Sequence, residues 1–113
     1  PVPSSSFTDS LKFNFHGEVI DCRFPGGGHS FDNITVYLPQ QKILFGGCLI
    51  KSIHSRGLGN LADAVVPEWD HTIHKLMVTH PNAKTVIPGH GNHGGPELLT
   101  HTLNLIQQYK QNR

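Results

Sequence analysis

What most constrains this chain is the order of its apolar periods: four strand-like segments come before any helical spacing, and a fifth falls between two helical stretches. In "LKFNF" the residues Leu11, Phe13 and Phe15 share one side, "HGE" offers a turn, and in "VIDCRF" the residues Ile20, Cys22 and Phe24 share one side. The pair reads as a β-hairpin, with Cys22 as a small apolar core residue. "PGGGHS" breaks the pattern. "NITVYL" and "ILFGG", joined by "PQQK", read as two further strands, and the apolar run from Lys42 to Phe45 predicts that they are largely buried.

Residues 52–63 read as a loop, with Gly57 and Gly59 flanking Leu58. Pro67 suits the first position of a helix. Trp69, Ile73, Leu76, Met77 and His80 follow at helical spacing, and Pro81 ends the run. "AKTVI" is a short strand and "PGHGNHGG" an open loop. Pro96 starts a last helix, in which Leu98, Thr102, Leu105 and Tyr109 line one side while Leu99, Leu103 and Ile106 widen the stripe. Antiparallel strands followed by helix, strand and helix predict an α/β layered arrangement. An antiparallel-rich sheet is covered by helices on one face, and the other face has no helices of its own.

A chain of 113 residues fits one domain or part of one. Its net charge of +1, with histidine neutral, gives no field directed at nucleic acid or a membrane surface. No apolar run approaches the roughly 20 residues of a membrane-spanning helix. The opening "PVPSSSF" reads as a linker, residues 1–6, and predicts a stretch of a longer protein. Two cysteines, Cys22 and Cys48, can pair, but two do not make a disulfide framework. Histidine is the unusual count, nine against nine lysines plus arginines, and histidine is the commonest metal ligand.

Three potential ligands share one local context. His29 follows "PGGG", Cys48 follows the "ILFGG" strand, and His90 follows the "TVI" strand inside "PGHG". Each sits where a strand meets a glycine-rich loop, and strand ends on a rigid sheet are where binding groups gather. Imidazole and thiolate are zinc donors. The separations match no zinc-finger spacing, so a catalytic site is the better reading than a closed structural one. Taken singly, the three are a packed cysteine and two loop histidines.

"GGGHSFDN", "ILFGGCLIKS", "GLGNLADA" and "VIPGHG", in this order, resemble the C-terminal half of a class B metallo-β-lactamase, in the dizinc subclass whose second metal has a cysteine ligand. The resemblance runs from about Phe7 to Tyr109. It implies the C-terminal αβ half of a four-layer αββα fold and a zinc-dependent hydrolase of the β-lactam amide bond, a periplasmic agent of antibiotic resistance. His29 matches the third histidine of the three-histidine zinc. Cys48 and His90 match two ligands of the other zinc, Lys51 the lysine that grips the substrate carboxylate, and Asn60 the asparagine near the lactam carbonyl. Other enzymes of the superfamily, such as glyoxalase-type hydrolases, generally have aspartate where this chain has Cys48, and its thioester, lactone and phosphoester hydrolases generally lack Cys48 with Lys51. A fragment of such a hydrolase, or a non-enzymatic zinc-binding module, is the alternative.

The family's His-x-His-x-Asp motif is absent from this sequence. By resemblance the complete site has six protein ligands for two Zn2+, and three of them stand here. The resemblance therefore implies that the N-terminal half of the fold is a required partner and that this stretch alone is inactive. His93, His71 and His74 match no family ligand and read as solvated. Asp32 and Asn33 read as shaping the turn after His29.

Overall fold

A computed structural model describes residues 10–29, 33–59 and 64–111. Five strands and two helices follow in the order β1 (Ser10–Phe15), β2 (Glu18–Arg23), β3 (Thr35–Leu38), β4 (Ile43–Gly47), α1 (Val66–Thr79), β5 (Thr85–Pro88) and α2 (Glu97–Gln111). The strands form one sheet in sequence order. The first three junctions are antiparallel, and β4 pairs with β5 in parallel. A parallel pair cannot be closed by a tight turn. Here α1 supplies the crossover.

Local chemistry accounts for the joints. The β1–β2 hairpin closes on His16 and Gly17, with φ of 52° and 82°. Positive φ at both central residues gives a turn whose twist matches the flanking strands, and glycine adopts it without strain. In α1 a proline stands at the first turn, where its missing N–H costs nothing. The helix starts at Val66, one residue before the predicted Pro67. It ends at Thr79, and the His80 N–H closes it by donating to the Leu76 carbonyl at 2.9 Å.

One cluster forms the core, between the helices and one face of the sheet. It joins Tyr37, Leu44 and Val86 from the strands to Trp69, Ile73 and Leu76 of α1 and to Leu98, Leu99, Leu105 and Ile106 of α2. Each such side chain contributes roughly 1.5–3 kcal/mol on burial. The register places Asp21, Tyr37, Leu44 and Val86 on the covered face, and Cys22, Val36, Phe45 and Ile87 on the other.

That register corrects two expectations, and α2 corrects a third. β4 is not buried along its run: Leu44 is, while Ile43 is half-buried and Phe45 exposed, because nothing among the described residues covers the outer face. Cys22 is half-buried on that outer face and lies outside the core, since it pairs with Val36 rather than facing the helices. Tyr109 is exposed: the buried stripe of α2 ends at Leu105 and Ile106, one turn earlier. Among the described residues no helix is long and apolar enough to cross a membrane.

Candidate functional site

Strand polarity gathers the candidate residues before any side chain is considered. β2 and β4 both run antiparallel to β3, and β5 runs parallel to β4. The carboxyl ends of β2, β4 and β5 therefore lie at one edge of the sheet. The segment carrying His29 leaves β2 there, Cys48 follows β4, and His90 follows β5.

Cys48, Lys51, Ser55, Gly59 and His90 all line one cleft of about 200 Å³ at this edge. Gly89 makes the approach possible. A Cβ at that position would stand 2.8 Å from the Cys48 sulfur and 2.7 Å from its backbone nitrogen, closer than a side chain tolerates. The loop that carries His90 thus passes directly against the thiol. The ladder between β4 and β5 also shifts here, from Phe45 opposite Ile87 to Gly47 opposite Pro88, leaving Gly46 as a bulge.

Trp69 organises the other side. It is fully buried, and its indole N–H donates to the Leu49 carbonyl at 2.9 Å, fixing the chain one residue beyond Cys48. The Lys51 ammonium lies 5.8 Å from the centre of the same ring, within cation–π range. The His29 ring meets it edge-on at 6.0 Å between centroids. Burial draws the Lys51 ammonium below the usual lysine range, and the neighbouring Cys48 acts in the opposite direction.

Groups at the start of α1 and along α2 hold both loops. The Val65 N–H donates to the Gly28 carbonyl at 2.6 Å, and the Thr72 hydroxyl donates to the Gly27 carbonyl at 2.6 Å, so the start of α1 grips the approach to His29. The Asn33 side-chain amide donates to the Gly26 carbonyl at 3.0 Å and closes the turn from the other end. From α2, the Thr102 hydroxyl accepts the Lys51 N–H at 2.9 Å, and His101 Nε2 lies 2.8 Å from the Ser55 carbonyl.

The structure brings Cys48, Lys51 and His90 together in the cleft and sets His29 against Trp69, off the cleft wall. Asn60 and Asp32 lie outside the described residues. His71, His74 and His93 are exposed. Cys22 and Cys48 are free thiols, so the possible pairing is not made. Among the described residues no three His, Cys, Asp or Glu side chains gather closely enough to hold one metal ion. Sequence reasoning missed the scaffold, namely Trp69, Thr102 and His101. One signal was available for Thr102: it is the hydroxyl on an otherwise apolar helical stripe.

No family model matches the chain. Among curated proteins it is 46% identical over 109 residues to a metallo-beta-lactamase type 2 of Bacteroides fragilis, across 96% of this chain and 44% of that protein. It is 44% identical over 107 residues to a metallo-beta-lactamase type 2 of Bacillus cereus, across 95% of this chain and 41% of that protein. The chain thus spans somewhat under half the length of the curated relatives it matches. Among solved structures, a metallo-beta-lactamase from Pontibacter korlensis superposes with a TM-score of 0.90 at 48% identity, over 95% of this chain and 50% of that one.

Proposed function

The chain belongs to the metallo-β-lactamases, matching their C-terminal part, and from that premise we propose that it contributes half the ligands and the substrate anchor of a zinc-dependent β-lactamase. The observation that carries the proposal is the cleft in which Cys48, Lys51 and His90 meet at the carboxyl ends of a parallel strand pair.

The donor set fits zinc. A thiolate and an imidazole are the borderline-soft ligands zinc takes, and the side-chain-free Gly89 leaves the sulfur accessible from the His90 loop. Cys48 and His90 would hold one ion. His29, at the same edge of the sheet, would contribute to the other. The remaining donors belong to the part of the family fold that this chain does not span. When bound, zinc supplies Lewis acidity and a water made nucleophilic at neutral pH.

The chain's own residues then have separate tasks. Cys48 would hold the ion as a thiolate ligand. Lys51 presents a compact cation that binds the carboxylate of a β-lactam and aligns the four-membered ring over the edge of the sheet. Its half-burial beside Trp69 shields that attraction from solvent. Asn60 is assigned the lactam carbonyl, where an amide N–H offsets developing negative charge. Water adds across the C–N bond, and the departing nitrogen ends protonated. Residence in the periplasm belongs to the same proposal.

The test is nitrocefin hydrolysis by the full-length protein that carries this sequence. Turnover should be abolished by a chelator, restored by zinc and lost in Cys48→Ser. The 113 residues alone should give none. Chelator-resistant turnover, or full activity in Cys48→Ser, contradicts the proposal.

A further inference from the structure

Lys51 does not hold its own place. Its side chain rests near an indole face, which sets a distance from the ring and leaves the position around it open. The anchor is at the backbone. The Lys51 N–H donates to Oγ1 of Thr102, 51 residues further along the chain, at 2.9 Å. Thr102 is fully buried in α2, on the stripe that packs against the core.

The hydroxyl is oriented for that bond. Its one hydrogen goes to the Leu98 carbonyl, one turn back in the helix, at 2.8 Å. Such back-bonding is ordinary for a threonine within a helix. Here it uses the hydroxyl's only hydrogen, so the oxygen serves as an acceptor, and it receives the Lys51 N–H. The next links in the same loop are also held from the helices. Leu49 is tied through its carbonyl to Trp69, and Ser55 through its carbonyl to His101. Between these two points, Thr102 makes the side-chain bond that fixes the lysine itself.

We propose that Thr102 is a positioning residue for substrate: by accepting the Lys51 N–H it sets where the Lys51 ammonium stands in the cleft, and so governs recognition of the substrate carboxylate. This rests on the reading of Lys51 as the carboxylate anchor. Valine at position 102 has nearly the same shape but no acceptor. A partly buried N–H left without a partner drives the local backbone to a new arrangement. A displacement of about 1 Å in a binding group is enough to cost a large part of its effect.

A purely structural threonine would give a different pattern. Its loss would lower stability and activity for every substrate alike, whether or not Lys51 is present. A positioning residue acts through Lys51 and vanishes as an effect when Lys51 is gone.

The experiment uses the zinc-loaded full-length protein, with a cephalosporin bearing a free carboxylate and the methyl ester of the same compound. In Thr102→Val, KM for the free acid should rise about tenfold, a change worth about 1.4 kcal/mol, with a smaller change in kcat. KM for the ester should move less than about twofold. Thr102→Ser, which keeps the acceptor, should restore the free-acid KM to within about twofold of the parent. In a Lys51→Ala background, Thr102→Val should add less than about twofold. Should Thr102→Val fail to fold, Thr102→Ala in the same design reads the same quantities. Equal losses for acid and ester, no rescue by serine, or full additivity with Lys51→Ala overturns the proposal. If Lys51→Ala itself leaves the free-acid KM unchanged, the carboxylate reading of Lys51 falls and takes the proposal with it. If Lys51→Ala raises KM and Thr102→Val does not, the proposal alone falls.

Discussion

On the helix side of the sheet Leu44 and Val86 are 0% exposed; on the opposite side Phe45, the next residue along β4, is 39% exposed and Phe15 61%. Both sides are apolar. The outer one runs Leu11, Ile20, Cys22, Val36, Phe45 and Ile87 across all five strands. Two helices can cover one face only. A contiguous apolar face of this kind is uncommon on a free-standing domain and marks a surface made to be covered. In the proposed enzyme the rest of the family fold packs there. The comparison also explains where the chemistry lies. Glycine-rich loops leave three strands at one edge, where an outer partner would meet the helix-covered half.

The largest effect that sharpens this contrast should come from the covered face. Leu44→Ala should destabilise the chain by about 2–5 kcal/mol, because it opens a cavity in a closed core. Denaturant unfolding measures it, and a cost under about 1 kcal/mol would mean that this face is not the core.

A second effect comes from His80, which is 5% exposed and lies 4.3 Å from the Tyr37 ring on the covered side. Burial is the main cause that pulls the imidazole below the ordinary histidine value. Asp21 opposes this, and Arg23 and Lys12 reinforce it. The folded chain therefore holds His80 neutral at a pH where the unfolded chain, titrating near 6.5, has begun to protonate it. Stability rises with pH wherever the unfolded state binds more protons. The loss should thus set in as pH falls below about 6.5 and continue down to the lower folded-state value. Above that window this group adds no slope. Unfolding at a series of pH values checks it, with His80→Gln flattening the acid limb.

The smallest effect should come from the outer face. Phe45→Ala in this chain should change stability by less than about 1 kcal/mol, since the ring is already partly in water. The same substitution should cost more in the full-length protein if, as in the proposed enzyme, the rest of the fold packs on this face. Equal costs in both would remove the reason for assigning a partner to this surface.

Much of this was legible in the residues. Alternation located β1, β2 and β3, an apolar run located β4 to its ends, "AKTVI" held β5, and His16-Gly17 declared the hairpin turn. Proline and glycine marked the loops that carry His29, Cys48 and His90. Burial was not legible, because period-two alternation states which residues share a face and not which face meets a helix. Cys22 is misplaced for that reason, and Phe45 because a continuous apolar run does not say that both faces of the strand are covered. The scaffold of the site was hidden too. That Thr102 would receive the Lys51 N–H, or that Trp69 would hold Leu49, depends on contacts between residues 51 and 20 positions apart. No local pattern encodes those contacts. Cys48 and His90 come into one cleft only because strand polarity puts their loops at one edge, with the His29 segment leaving the sheet at the same edge.

The central claim is that Cys48 and His90 serve one metal ion. Cobalt(II) replacing zinc in the full-length protein tests it most directly, because a thiolate bound to cobalt gives an intense charge-transfer band in the near ultraviolet. The band should be present, should vanish in Cys48→Ser, and in His90→Gln should require markedly more cobalt to develop. A band that survives Cys48→Ser, or one indifferent to His90→Gln, would show that the thiol and the imidazole do not share a metal.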